Sequence, residues 1–288
     1  MEVIMSQQQI LPQNTRFMAV LLGFIGGALD VFCHMHYDVL VATQTGNIIL
    51  LIANVKSQNI YDFVLRCLSI IFFSTGFIVG IFIKDRRKTA YWRAYSLLPL
   101  LIITLLLPLF DFHKYISVSL IAFVTGIMML TFSGSLIEDH PFTILMTSGN
   151  YRKMLMAIYR LIQGKGDTDE FKRQAINYGL IVTSFISGGV ISAAFTSIFQ
   201  TKSVWLISTA LLIMLIYYCY SVKKAEKKSP FFCFGLFIII RIKDFTATKL
   251  YPRGFWYNFI NICSKYTIKA YKTLSKPNYL NIFMSFLL

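Results

Sequence analysis

Six runs of nearly continuous apolar sequence constrain this chain more than any other feature. They cover about residues 17–37, 64–83, 94–110, 116–137, 176–199 and 203–222. Each approaches the ~20 residues that a helix needs to cross ~30 Å of hydrocarbon. Inside a bilayer only helices and closed barrels satisfy their own backbone groups. Barrel strands alternate apolar and polar residues, which these runs do not. The expectation is an all-α polytopic membrane protein. Composition agrees, with 56% hydrophobic residues, 14% charged and a mean hydropathy of +0.61. Residues 1–16 are polar, with Arg16 the only base, and no small-x-small cleavage site follows the first run, so that run is expected to remain as a helix.

The net charge of +15 is confined mostly to helix ends. Lys84, Arg86, Arg87, Lys88 and Arg93 form one cluster, and Arg152, Lys153, Arg160, Lys165, Lys172 and Arg173 a second. Lys223, Lys224, Lys227 and Lys228 form a third, while the connections near 56–62, 111–115 and 200–202 hold one Lys each. The positive-inside rule puts the clusters in the cytoplasm, against anionic lipid headgroups, with no call for nucleic acid. Five cysteines at irregular spacing (33, 67, 219, 233, 263) read as buried thiols without a disulfide framework.

Two weaker apolar runs, about 39–55 and 141–162, carry a repeated tripeptide: Thr45-Gly46-Asn47 and Ser148-Gly149-Asn150, 103 residues apart. At the same offset Gly23 falls on Gly126, and Phe73-Ser-Thr-Gly76 lines up with Phe185-Ile-Ser-Gly188 after about nine extra residues. The spacing predicts a duplicated unit. Arg152 and Lys153 at the bilayer centre would cost roughly 2.5–3.5 kcal/mol each, so 141–162 is expected to be broken or re-entrant. If 39–55 does the same, each half has three crossings, and the odd number makes the repeats inverted. The run 39–55 is also apolar enough to span by itself. The expected organisation is a cytoplasmic segment 1–16, membrane repeats at 17–110 and 111–222, and a basic aromatic tail at 223–288. Both termini are then cytoplasmic, in the cell inner (plasma) membrane.

The stretch AVLLGFIGGALDVFCHMHYDVLVATQTGNIILLIANV resembles the opening block of the YoaK-like bacterial membrane proteins, a family of unknown function. AFVTGIMML, LMTSGN and FISGGVISAAF resemble that family's second half, so the similarity covers about 17–222. Met128 and Met129 stand where the family often has a polar pair. The resemblance implies an architecture and no activity.

Asp30 is the sharpest candidate for chemistry, since an acid within a membrane helix must face the protein interior or water. It reads as a coupling or gating carboxylate, or as a structural acid bonded to a helix end or to His34 one turn on. Gly46 and Gly149 let the backbone break, and Asn47 and Asn150 offer donors and an acceptor there. With Thr45 and Ser148, they form the expected binding site for a small solute or ion, or else caps that hold the fold. Gly76-x3-Gly80 and Gly188-x3-Ser192 read as packing faces. Cys33-His34-x-His36 lacks a distant fourth ligand, so no metal or other cofactor is expected. Glu138-Asp139-His140 reads as a solvated loop or cap. Without a HExxH, a Gly-x-Ser-x-Gly or a nucleotide loop, no enzyme is expected. The leading reading is a transporter or channel, able to form a homo-oligomer; the alternative is a membrane scaffold that moves nothing.

Overall fold

The computed structural model describes residues 12–53, 60–86, 89–110, 112–164 and 166–227. The tail 228–288 lies outside the described residues, as do Lys56, Arg87, Lys88 and Lys165 of the basic pattern. Eight α-helices make up the described chain: α1 Arg16–Tyr37, α2 Gln44–Ala53, α3 Ile60–Asp85, α4 Trp92–Leu106, α5 Lys114–Phe132, α6 Ser148–Gln163, α7 Thr168–Phe199 and α8 Val204–Lys227. A two-residue-stranded hairpin, β1 Leu136–Ile137 and β2 His140–Pro141, precedes α6.

Local chemistry fixes most of the boundaries. Thr15 caps α1 by accepting from Met18 N at 3.3 Å, and Asp167 caps α7 by accepting from Glu170 N at 3.1 Å. The α1 helix stops where Asp38 turns left-handed, at φ 54°, and its N–H donates to His34 O. Gly164, at φ 63°, ends α6 in the same way. Glu138 and Asp139 both have positive φ, as a two-residue hairpin turn requires.

Four helical runs are long and apolar enough to cross a membrane: Arg16–Tyr37, Ile60–Asp85, Lys114–Phe132 and Thr168–Ala225, the last containing both α7 and α8. The expected crossing at 94–110 is shorter than the sequence suggests. The α4 helix has 15 residues, including Pro99, and covers about 22 Å at 1.5 Å per residue. The run 39–55 is not a single helix: 38–43 is irregular, and the 10 residues of α2 reach only about 15 Å. Exposed positions on α3, such as Ile71, Phe72, Ile78 and Phe82, are themselves large and apolar, the reverse of a water-facing surface.

Two helix pairs dominate the packing, α1 along α7 and α3 along α5. Each closes on glycines. A Cβ on Gly76 would stand 2.7 Å from the Phe123 carbonyl carbon, and one on Gly126 would strike the Phe73 carbonyl. In the other pair, Gly27 meets the carbonyl of Phe185 and Gly188 that of Phe24. Gly80 packs on Leu130, and Ser192 Oγ donates to Ala28 O at 3.0 Å, so both predicted small-residue faces are buried contacts. The sequence alignment differs here by one helical turn: Gly27, not Gly23, does for α1 what Gly126 does for α5. Gly23 instead makes room for Ser184 and Ile181. The α4 helix is tied to α8 by Trp205 Nε1 on Leu105 O and to α5 by Arg93 Nε on Thr131 O, while Tyr218 Oη of α8 donates to Ala90 O in the turn before α4.

Replacing Gly76 with Ala forces α3 and α5 apart and is expected to destabilise by about 1–3 kcal/mol. At Gly179 an added Cβ meets only Met154 Sδ, at 3.7 Å, so Gly179→Ala should be neutral or stabilising by up to about 1 kcal/mol. Unfolding in detergent micelles measures both; equal effects would refute the close-crossing account.

Candidate functional site

The irregular stretch 38–43 sits between α1 and α2, with Val39, Val41 and Ala42 fully buried. Its polar backbone therefore needs partners from within the protein. Asn47, fully buried, supplies two of them. Its Oδ1 accepts from Leu40 N at 2.8 Å, and its Nδ2 donates to Leu40 O and Gln44 Oε1. Ser69, from α3, adds a donation to Leu40 O at 2.8 Å and is 3.1 Å from Asn47 Nδ2.

Asn150 repeats this arrangement. Also fully buried, it accepts from Thr143 N at 2.8 Å and donates to Thr143 O at 2.7 Å and Met146 O at 3.0 Å. In both places the amide clamps the N–H and C=O of the residue seven positions earlier. The glycine before each Asn leaves room for that residue's side chain: a Cβ on Gly46 would hit Leu40, and one on Gly149 would hit Thr143. A third contact also recurs. Arg66 Nε on α3 donates to Asp38 O at 3.3 Å, and Tyr178 Oη on α7 donates to Pro141 O at 3.1 Å. Asp38 and Pro141 are each nine residues before the Asn. Thr45 and Ser148, the first residues of their tripeptides, are exposed and join neither cluster.

The first break buries an acid and a base, whereas the charge at the second is the half-buried Lys153, which donates to Pro141 O. Asp30, 4% exposed, accepts from Val41 N at 2.9 Å and Ala42 N at 2.7 Å through Oδ1, and from the Thr43 hydroxyl through Oδ2. It does not pair with His34, as its i+4 position allowed. His34 instead lies 3.3 Å from Asp38, because the left-handed turn at Asp38 brings that carboxylate back beside α1. Arg66, 1% exposed, binds the Asp38 carboxylate and approaches Leu50 O at 3.4 Å. Sequence reasoning missed Arg66. The signal was a base seven residues into a long apolar helix, rather than in an end cluster.

Glu138-Asp139-His140 is more than a solvated loop. Glu138 pairs with Arg16 at 2.8 Å and accepts from Asn177 Nδ2 at 2.9 Å; His140 contacts Glu170. The Asn177 bond first, then Arg16, hold the Glu138 carboxyl below the usual glutamate range. Among the described residues no group of three or more His, Cys, Asp or Glu is placed to hold a metal ion.

Long apolar helices with apolar outer faces, closed on glycine crossings and broken at two Asn-clamped segments, are those of a multi-pass helical membrane protein. The chain belongs to the DUF1275 family, described as proteins of unknown function, whose pattern matches residues 18–217. This agrees with the YoaK-like resemblance read from the motifs. No curated protein and no solved structure matches the chain.

Asn150→Leu leaves Thr143 N–H and C=O buried without their partner, and should destabilise by roughly 2–5 kcal/mol in detergent unfolding. A loss no larger than that of an exposed substitution such as Ser148→Ala would refute the clamp. Because the folded-state pKa of Glu138 is depressed, its tie stabilises above the ordinary glutamate range and is lost as pH falls through the folded value. The melting difference between the natural protein and Glu138→Gln should therefore be present near about pH 7 and shrink as pH falls below the ordinary glutamate range.

Proposed function

We propose that the chain is a membrane transporter or channel for a small solute or ion, built as two inverted repeats of three crossings and one broken segment each. The α1, α3 and α4 helices cross in the first repeat, and α5, α7 and α8 in the second. The recurring Asn clamp supports the duplication, as does the exchange of partners in which the first crossing helix of each half packs on the second of the other, α1 on α7 and α5 on α3.

One observation carries the functional reading. At the second break Pro141 O accepts from Tyr178 and from the half-buried Lys153, where the first uses Arg66, 1% exposed, and no buried acid corresponds to Asp30. The chain thus contains its own control: an Asn-clamped break stands without a fully buried acid or base. Charged groups within a membrane helix are costly, and those that the fold can do without are candidates for work on a solute. Asp30 is the coupling or gating acid in this reading, and Arg66 with Asp38 a polar gate beside it. The scaffold alternative draws on Asn47 and Asn150, whose amides are engaged by backbone in both breaks. On that account the breaks hold shape and move nothing.

Two measurements test the proposal together. With native cysteines replaced, single cysteines at Gln58 and Gly164 should label with an impermeant thiol reagent on opposite sides, Gln58 outside and Gly164 inside. Arg66→Tyr, which installs the second copy's residue, should then keep folding yield and melting temperature. It should lose at least about tenfold of the solute-evoked current seen on supported membranes with a panel of small ions and metabolites. Labelling on one side would reject the inverted repeats, absence of any solute-evoked current from the natural protein would leave the scaffold, and currents indifferent to Arg66→Tyr would remove Arg66 from the working site.

A further inference from the structure

The donors around Asp30 select what can bind to it. Oδ1 accepts two backbone N–H bonds, from Val41 and Ala42, and those donors cannot reverse. Oδ2 meets the hydroxyl of Thr43, a group able to donate or accept by rotating about its C–O bond. A metal cation at this carboxylate would need oxygen lone pairs turned toward it, in a shell of several such ligands. The two N–H groups present their hydrogens instead. A proton has no such requirement. It can settle on Oδ2, with Thr43 turning from donor to acceptor, while both backbone bonds to Oδ1 persist in weaker form.

We propose that Asp30 is a proton-loading site: a proton from the aqueous phase forms an O–H bond at Oδ2, the carboxylate charge falls from −1 to 0, and the Thr43 hydroxyl reverses to accept it. Charge-assisted bonds are roughly twice as strong as neutral ones, so loading loosens the hold on 41–43. Release of that segment is what couples the proton to the break. As the coupling ion of a transporter, the proton rests on the transport reading above; as a titrating site it does not.

The surroundings of Asp30 add little competing charge. The buried thiol of Cys33 lies one turn on in α1. His34, Asp38 and Arg66 form their own cluster at the end of that helix. On α7 the acids and bases lie within its first turns, through Arg173, with Tyr178 following them. On α5 the titratable residues are Lys114 and Tyr115 at its start, and on α8 they are Tyr217, Tyr218, Cys219 and Tyr220, followed by Lys223, Lys224, Glu226 and Lys227 at its end. Among the described residues, none of these is hydrogen-bonded or ion-paired to Asp30.

Infrared difference spectroscopy of the full chain in lipid nanodiscs, stepped from about pH 4 to about pH 10, tests the assignment without any solute. The expected result is a protonated-carboxyl band that titrates within this range and is absent in Asp30→Asn. Its midpoint should move by about one pH unit in Thr43→Val, stay in place in Thr43→Ser, and not change when sodium, potassium or magnesium replaces choline. Should Asp30→Asn fail to fold, the Thr43 pair still assigns the band. An Asp30 that stays ionised throughout overturns the proposal, as does a midpoint that follows sodium or magnesium. Neither result depends on whether Gln58 and Gly164 label on opposite sides, so failure here and failure of the transport reading are separable.

Discussion

Everything in the described structure depends on satisfying a few non-helical peptide groups in a solvent that offers none. A helix in hydrocarbon answers its own N–H and C=O groups; 38–43 and the stretch before Ser148 cannot. The solution is an Asn amide, whose donor and acceptor pair with one residue's C=O and N–H as a neighbouring strand would. Because that pairing occupies both ends of the amide, Asn47 and Asn150 cannot be exchanged for residues with only one function. The preceding glycine is required as well: without it the clamped residue's side chain has nowhere to go. Thus Gly-Asn is one device, and its two copies are built on one plan.

Much of this was legible in sequence for physical reasons. Apolar runs report helices that must hide their backbone, and the tripeptides reported breaks because polar residues at depth are rare. The small-residue faces at Gly76 and Gly188 were readable since close helix approach excludes a Cβ. What sequence could not give was the partner. Which helix Gly76 meets, and that Gly27 rather than Gly23 takes the part of Gly126, depends on a crossing point that drifts by one turn without changing the pattern. Arg66 was hidden by the same limit: nothing local says that a base near a helix start folds inward onto Asp38. The pairing of Asp30 with 41–43 was equally invisible, since a hydrogen bond to backbone N–H leaves no mark on the residues that provide it.

The two breaks also differ in the helices that follow them, and this bears on how deep each lies. The α2 helix has no charged residue, and Ile48, Ile49 and Ile52 are exposed along it. The α6 helix carries Arg152, Lys153 and Arg160, with Tyr151, Leu155, Tyr159 and Ile162 exposed. A helix of the first kind gains by lying in hydrocarbon; one of the second kind gains at the headgroup boundary, where bases meet anionic lipid and tyrosines sit at the interface. One backbone plan therefore precedes two short helices of opposite surface chemistry. That asymmetry runs parallel to the one in charge. The half whose short helix suits hydrocarbon is the half that keeps Asp30 and Arg66. The half whose short helix suits the surface replaces the Arg66–Asp38 contact with Tyr178 and the half-buried Lys153 on Pro141 O. If both halves served packing alone, selection for cheap insertion would remove charge first from the deeper one. The fully buried charges, Asp30 and Arg66, thus stand in the half whose short helix is apolar, and the proposed transport reading rests on that placement.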